Sequence, residues 1–388
     1  MKLLVKYYTT LLSGIMIAFT GCREKTPEVI IINEKDAKEV AFEDVATNIR
    51  VVPLISDEPL ASIKNVVSYG NEVLACDDDE KIVYYFVDGK LVSKLNRIGR
   101  GPGEYITIRR FTYAPAQKML YVMTPDKVLW YTIPDMKHCG DTPLKFDTQH
   151  ISMHDENRFF ALCFINDKWR TVLIDIKTGE ITQELQVITI YAMRDSFHSM
   201  TSYTEKNHYY SLFGYNNSVV AVNDSNKVET LLTYNYGNMN IEQKYTDFDK
   251  YYDPANAFKI AEFINEQTDY LDENGRNIIV TVSSPRINDK GEISFWYAHY
   301  ISPSGEFFYY KYNPVDKTSV NLRGFRMKGI GSPITPNALS DTGYIKIFQG
   351  NNRWLKTEEK PSDLAKELIQ TIENQNDDNP VLLFFDLK

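Results

Sequence analysis

The stretch "KIVYYFV", Lys81–Val87, decides the fold. It is rich in β-branched and aromatic residues, which suits a strand, and it follows a polar turn. The same pattern returns as "KVLWYTI" from Lys127, "TVLIDIK" from Thr171, "SVVAVND" from Ser218, "EFFYYKY" from Glu306 and "VLLFFDL" from Val381. The first three intervals are 46, 44 and 47 residues, close to the length of a four-stranded propeller blade. A sandwich of unrelated strands would account for the strands but not for their spacing. The last two intervals, 88 and 75 residues, each hold a helical insertion. In "DPANAFKIAEFINEQT", Asp253 and Pro254 suit a helix start and Ala257, Ile260 and Ile264 recur at helical spacing. In "KPSDLAKELIQTIENQ", Ser362 is placed to cap and Leu364, Leu368 and Ile372 share a face.

The other strands of a unit are visible around the first repeat. "IKNVVSYG", "NEVLACDD", "KIVYYFVDG" and "KLVSKLN" are separated by the turns Gly70-Asn71 and Asp88-Gly89. The sixth repeat stops at its third strand, "NPVLLFFDLK", which would leave a long apolar edge. "NIRVVPL", Asn48–Leu54, precedes the first blade and belongs to no other. It is expected to complete the last blade and close the ring. The expected architecture is all-β: a six-bladed β-propeller over 48–388, with two short helical insertions and an N-terminal closing strand.

The N-terminus reads as a lipoprotein signal peptide over 1–21. Lys2 and Lys6 give a basic start, Leu11–Phe19 an apolar core, and small Gly21 precedes Cys22. "FTGC" looks like a bacterial lipobox, in which the cysteine is acylated, although Phe19 stands where leucine is preferred. Lipidation at Cys22 would anchor the chain without spanning the membrane. Residues 22–47, including "REKTPEVIIINEKDAKE", read as a charged tether.

The formal charge is −9, and about −11 once Lys2 and Lys6 leave with the signal. An acidic chain with no basic run argues against nucleic acid. Without Cys22 three cysteines remain, Cys76, Cys139 and Cys163, too few to build a disulfide scaffold. Cys163 in "FFALCF" reads as a buried small apolar group.

The lipobox, the early "NIRVVPL" strand, the "GRGPGEY" loop (Gly99–Tyr105) and the terminal "NPVLLFFDLK" strand together resemble the six-bladed β-propeller lipoproteins abundant in Bacteroidetes. That family is similar in shape to NHL-type propellers. The resemblance covers essentially the whole mature chain. It implies the fold and a lipid-anchored place in the cell envelope, at the outer membrane, with the periplasmic or surface face left open. It implies no activity.

"RIGRGPGEY", Arg97–Tyr105, is the most distinctive loop. A phosphate cradle would need successive backbone N–H groups opening a helix. Pro102 removes one donor, the β-rich "YITIRRFTYA" follows, and the Lys-Ser/Thr pair of a P-loop is absent. Gly99, Gly101, Pro102 and Gly103 read as a structural hinge carrying the chain from blade one to blade two. Arg97, Arg100, Glu104 and Tyr105 are the candidate binding residues on the rim.

No metal and no cofactor is expected. The six histidines are scattered, and "CDDDEK" and "DYLDENGRN" lack the alternating ligands of a calcium loop, reading as solvated turns. There is no nucleophile elbow and no zincin motif. These features favour a non-enzymatic binding or scaffold propeller for a protein, peptide or glycan partner at the envelope. The alternative is a propeller hydrolase or lyase acting on glycan or peptide, with channel carboxylates or metal-bound histidines.

Overall fold

The computed structural model describes residues 29–388 except 61, 78, 167, 189–200, 204–207, 213–217, 224, 236–279, 300–306, 350–359 and 376–378. Its strands form six separate sheets, the six blades of a propeller. Blade 1 runs through Ile63–Tyr69, Glu72–Asp77, Ile82–Val87 and Lys90–Leu95, each strand antiparallel to the last. Blade 2 spans Arg110–Ala114 to His138–Pro143, and blade 3 spans Asp147–Met153 to Ile181–Ile188. Blade 4 spans Thr201–Tyr203 to Val228–Asn235, and blade 5 spans Val280–Ile287 to Thr318–Arg326. Each of the six repeated stretches is the third strand of its blade. A third strand packs against neighbouring blades on both faces, which is why its apolar run barely alternates.

Blade 6 is assembled from both ends of the chain. Its order is Ala338–Leu339, Tyr344–Phe348, Val381–Leu387 and then Ala46–Pro53. Val381 faces Pro53, Leu383 faces Val51 and Leu387 faces Ala46, with one bulge between Phe384 and Asp386. The Arg50 guanidinium lies 4.5 Å over the Phe384 ring, and the Asn48 amide donates to Asp386 at 2.8 Å. Buried Asn379 accepts from the Leu60 amide at 2.8 Å, fastening the chain that leads into blade 1. The expected ring closure is therefore present.

The insertion of blade 6 carries the helix Asp363–Glu373. Ser362 caps it, accepting from the Ala365 amide at 3.1 Å. Ala365, Leu368 and Ile372 form its buried face, in a core with Phe42, Phe325, Phe348 and Phe385. The helix expected around 253–268 lies outside the described residues.

One expectation is corrected. The charged tether does not extend to residue 47, because 29–47 lies on the blades. Val29–Ile31 adds a parallel strand to the outer edge of blade 4, and Lys38–Ala41 does the same on blade 5. Ile30, Ile32 and Ala37 enter the core between those two blades. The segment then enters blade 6, and Ile55 makes a parallel bridge to Lys90 on the outer strand of blade 1. The strap is obscured in the sequence by its charged flanks and by strands so short that Val29–Ile31 buries one residue in three.

A repeated latch couples neighbouring blades. Pro53 ends the outer strand of blade 6, and its carbonyl lies against Gly89 in the outer turn of blade 1. Pro143 ends the outer strand of blade 2 and meets Gly179 in the outer turn of blade 3 in the same way. The next residue also repeats its bond: Leu54 N donates to Pro380 O at 2.9 Å and Leu144 N to Asp126 O at 2.8 Å. Gly89 and Gly179 sit at φ +75° and +69°, and a Cβ on either would overlap the proline carbonyl oxygen. We expect Gly89→Ala and Gly179→Ala each to lower unfolding stability by about 2–4 kcal/mol. Gly70 has φ +59° and open space around it, so Gly70→Ala should cost only about 1 kcal/mol. Denaturant melts of the three variants measure the difference.

Candidate functional site

The connection from one blade's outer strand arrives where the next blade's inner strand begins, so the starts of the inner strands surround one mouth of the central channel. At that mouth blades 1, 2 and 3 are joined by a polar arc. Arg109, just ahead of the inner strand of blade 2, donates from Nη1 to Asp147 Oδ1 at 3.1 Å and to the Thr148 carbonyl at 3.2 Å. The Gln149 amide donates to the same Asp147 oxygen at 2.7 Å. Arg110 Nη1 donates to Asn65 Oδ1 of blade 1 at 3.3 Å. The Arg109 and Asp147 side chains are each one-third exposed, so the pair contributes at most about 1 kcal/mol to stability. Its effect is positional: it fixes guanidinium and amide groups at the opening with their charge balanced. Deeper along these inner strands lie buried Ser68, Thr112 and Ser152. The inner strands of blades 6 and 1 meet through a Ser68–Ser340 bridge, where the Gly70 amide donates to Asp341 at 3.2 Å.

The loop Arg97–Tyr105 is a wedge between blades 1 and 2. Gly99 N donates to Tyr105 O at 2.9 Å, and Tyr105 N donates to Arg97 O at 3.0 Å. The Glu104 carboxylate folds back to accept from Gly101 N at 2.7 Å, and a Cβ on Gly99 would overlap it. Gly103 takes φ +69°, accepts from the Tyr131 hydroxyl at 3.1 Å, and leaves no room for a Cβ, which would lie 2.5 Å from the His138 ring. The glycines thus permit close approach, while Pro102 faces solvent. Of the four rim candidates, Arg97 and Arg100 are exposed, Glu104 is half-buried and bound to its own loop, and Tyr105 is only 2% exposed. The Tyr105 hydroxyl lies 3.0 Å from both the Lys81 and Leu95 carbonyls, and burial pushes its pKa up to about 12. Tyr105 therefore belongs to the core between the blades.

Toward the other mouth sits a second polar cluster. Glu72 of blade 1 accepts from Lys118 Nζ at 2.6 Å, from the Tyr113 hydroxyl at 3.0 Å and from the Tyr85 hydroxyl. Lys118 and Tyr113 belong to blade 2, so the carboxylate ties the two blades. Burial opposes its charge, and the bonds from Lys118, Tyr85 and Tyr113 outweigh that, holding it below its ordinary value of 4.5. Both carboxylate oxygens are engaged by structural partners, which makes this a joint between blades.

The acidic stretch "CDDDEK" is only partly the solvated turn expected. Asp77 is fully buried and accepts from the Ser62, Asp79 and Glu80 amides at 2.9–3.0 Å. "DYLDENGRN" lies outside the described residues. Cys76 and Cys163 are buried and Cys139 is exposed. Among the described residues, no three His, Cys, Asp or Glu side chains gather in a metal-holding group, and no helix is long and apolar enough to cross a membrane. The polar arc escapes a reading of the sequence because its members lie on three blades, and only the positions of the inner strands bring them together.

Six blades, the last built with a strand from each end of the chain, define a six-bladed β-propeller. Residues 27–386 match the family described as "Domain of unknown function (DUF4934)", and the chain belongs to that family. In fold it is similar to a Bacteroides fragilis NCTC 9343 protein whose name marks it as exported by inference. That match has 14% identity and a TM-score of 0.65, and it covers 93% of this chain and 100% of the other. A member of the DUF4221 family from Bacteroides vulgatus matches with 11% identity and a TM-score of 0.51, over 89% of this chain and 98% of that one. Among curated proteins, none matches.

The Glu72 cluster carries a pH prediction. A carboxyl held below its unfolded value stabilises the fold fully above about pH 4.5, and loses that contribution as pH falls through the folded value. Glu72→Gln should therefore be less stable than the parent by about 2 kcal/mol at pH 7. The gap should close as pH drops below 4.5, as read by urea melts across pH.

Proposed function

We propose that the protein is an exported, lipid-anchored propeller of the cell envelope, of NHL-like shape, that binds a peptide, protein or glycan partner at the channel mouth formed by blades 1–3. The observation that carries the binding site is the polar arc Asn65–Arg110 and Arg109–Asp147–Gln149, which crosses three blades on rigid inner strands. Asp147 balances Arg109 and the neutral Asn65 holds Arg110, so the arc keeps one net positive charge, and its guanidinium and amide N–H groups are suited to hydroxyl and carbonyl acceptors. Such a lining fits hydroxyl-rich glycans or extended peptides. Exposed Arg97 and Arg100 extend the surface beside it. The anchor rests on residues 1–22: a basic start, an apolar core of signal-peptide length and "GC" at 21–22. The name of the Bacteroides fragilis neighbour agrees with export. An outer-membrane position follows from the lipoprotein reading, and no nucleic acid is expected on an acidic chain.

Two measurements test this. Cys22→Ala should abolish metabolic acyl labelling and release the protein from membranes; labelling that persists in the variant removes the anchor. The soluble domain should capture a peptide or glycan from envelope fractions, and Arg109→Ala should weaken that capture about tenfold. Equal capture by the parent and the variant would move the site away from the arc.

A further inference from the structure

We infer that the outer edge of blade 4 is the side of the propeller that faces the membrane, with Val29 and Ile31 resting at the lipid surface. The inference builds on the proposed acylation of Cys22. Its own observation is where the chain first joins the fold. Val29 is paired with Thr233 and Ile31 with Asn235, on the outermost strand of blade 4. Cys22 is seven residues earlier. Even fully extended, that stretch reaches about 25 Å. A tether running to residue 47 would have reached about 90 Å and imposed no orientation. A compact domain of this length is about 50 Å across. The edge of blade 4 must then lie within half a molecular diameter of the bilayer. Blade 1, opposite in a ring of six, cannot be the lower side.

The surface chemistry agrees with the geometry. Burial alternates along Val29–Ile31, so Ile30 enters the core with Leu232 and Tyr234 while Val29 and Ile31 point outward. Among the described residues the three most exposed large apolar side chains are Val315 at 83%, Ile31 at 74% and Val29 at 59%. Val315 lies in the outer turn of blade 5, the neighbour of blade 4. Aliphatic side chains so exposed beside an acyl anchor would add apolar contact with the lipid surface. The occupant is therefore a lipid surface. The wedge Arg97–Tyr105, between blades 1 and 2, is carried on the side away from it.

The test uses the full-length lipidated protein in phosphatidylethanolamine–phosphatidylglycerol vesicles carrying an acceptor-dye lipid. In a Cys139→Ser background the remaining Cys76 and Cys163 are buried, so a single donor dye can be placed by Ser225→Cys on blade 4 or by Val92→Cys on blade 1. Transfer from position 225 should exceed that from position 92 at least about threefold, given the tether's reach and the domain's width. Inserting twenty Gly/Ser residues after Lys25 should largely erase the difference. Equal transfer in the native-length protein, or stronger transfer from 92, overturns the orientation while acyl labelling of Cys22 stands. Loss of that labelling in the parent protein overturns the anchor itself, and the orientation with it.

Discussion

The ring depends on one piece of antiparallel pairing, between Ala46–Pro53 and Val381–Leu387. A propeller without it would have five finished blades and a sixth with an open apolar edge, since Val381–Phe385 is buried throughout. Among the described residues no disulfide locks the ring, for Cys76 and Cys163 are buried as small apolar groups and Cys139 stands exposed on blade 2. Closure is instead distributed over backbone bonds, the Arg50–Phe384 stack, the Asn48–Asp386 bond and buried Asn379. The proline–glycine latches then extend the lock outward, coupling blade 6 to blade 1 and blade 2 to blade 3.

Most of this architecture can be read from the residues because a third strand has a strong signature. Buried on both faces, it has no solvent side on which polar residues alternate, so "KIVYYFV" and "VLLFFDL" stand out from their surroundings. The Ser362-capped helix is legible for a similar reason, since its cap and its apolar face are both encoded in one short run of sequence. The strap over blades 4 and 5 is not. Its strands are three and four residues long, each carries few buried side chains, and parallel pairing at an edge leaves no pattern of its own.

The site is legible in a more limited way. "GRGPGEY" can be located as a junction between blades, but its glycines answer to neighbours that sequence cannot place: the Glu104 carboxylate above Gly99 and Gly101, and the His138 ring beside Gly103. Tyr105 and Glu104 have the chemistry of a rim and are parts of the wedge. The arc at the channel mouth depends on Asn65, Arg109, Arg110 and Asp147, which are ordinary polar residues until three inner strands bring them together.

The strap also has a history within each molecule. Residues 29–41 are synthesised well before the outer strands they join, Val228–Asn235 and Thr318–Arg326, which follow some 200 and 280 residues later. Through that delay "VIII", residues 29–32, is a short β-prone run with no partner. Glu28, Lys35, Asp36, Lys38 and Glu39 flank it, and charges so placed act as gatekeepers against premature sticking to other nascent chains. The residues that make the segment look like a linker thus keep it soluble until its docking edges exist.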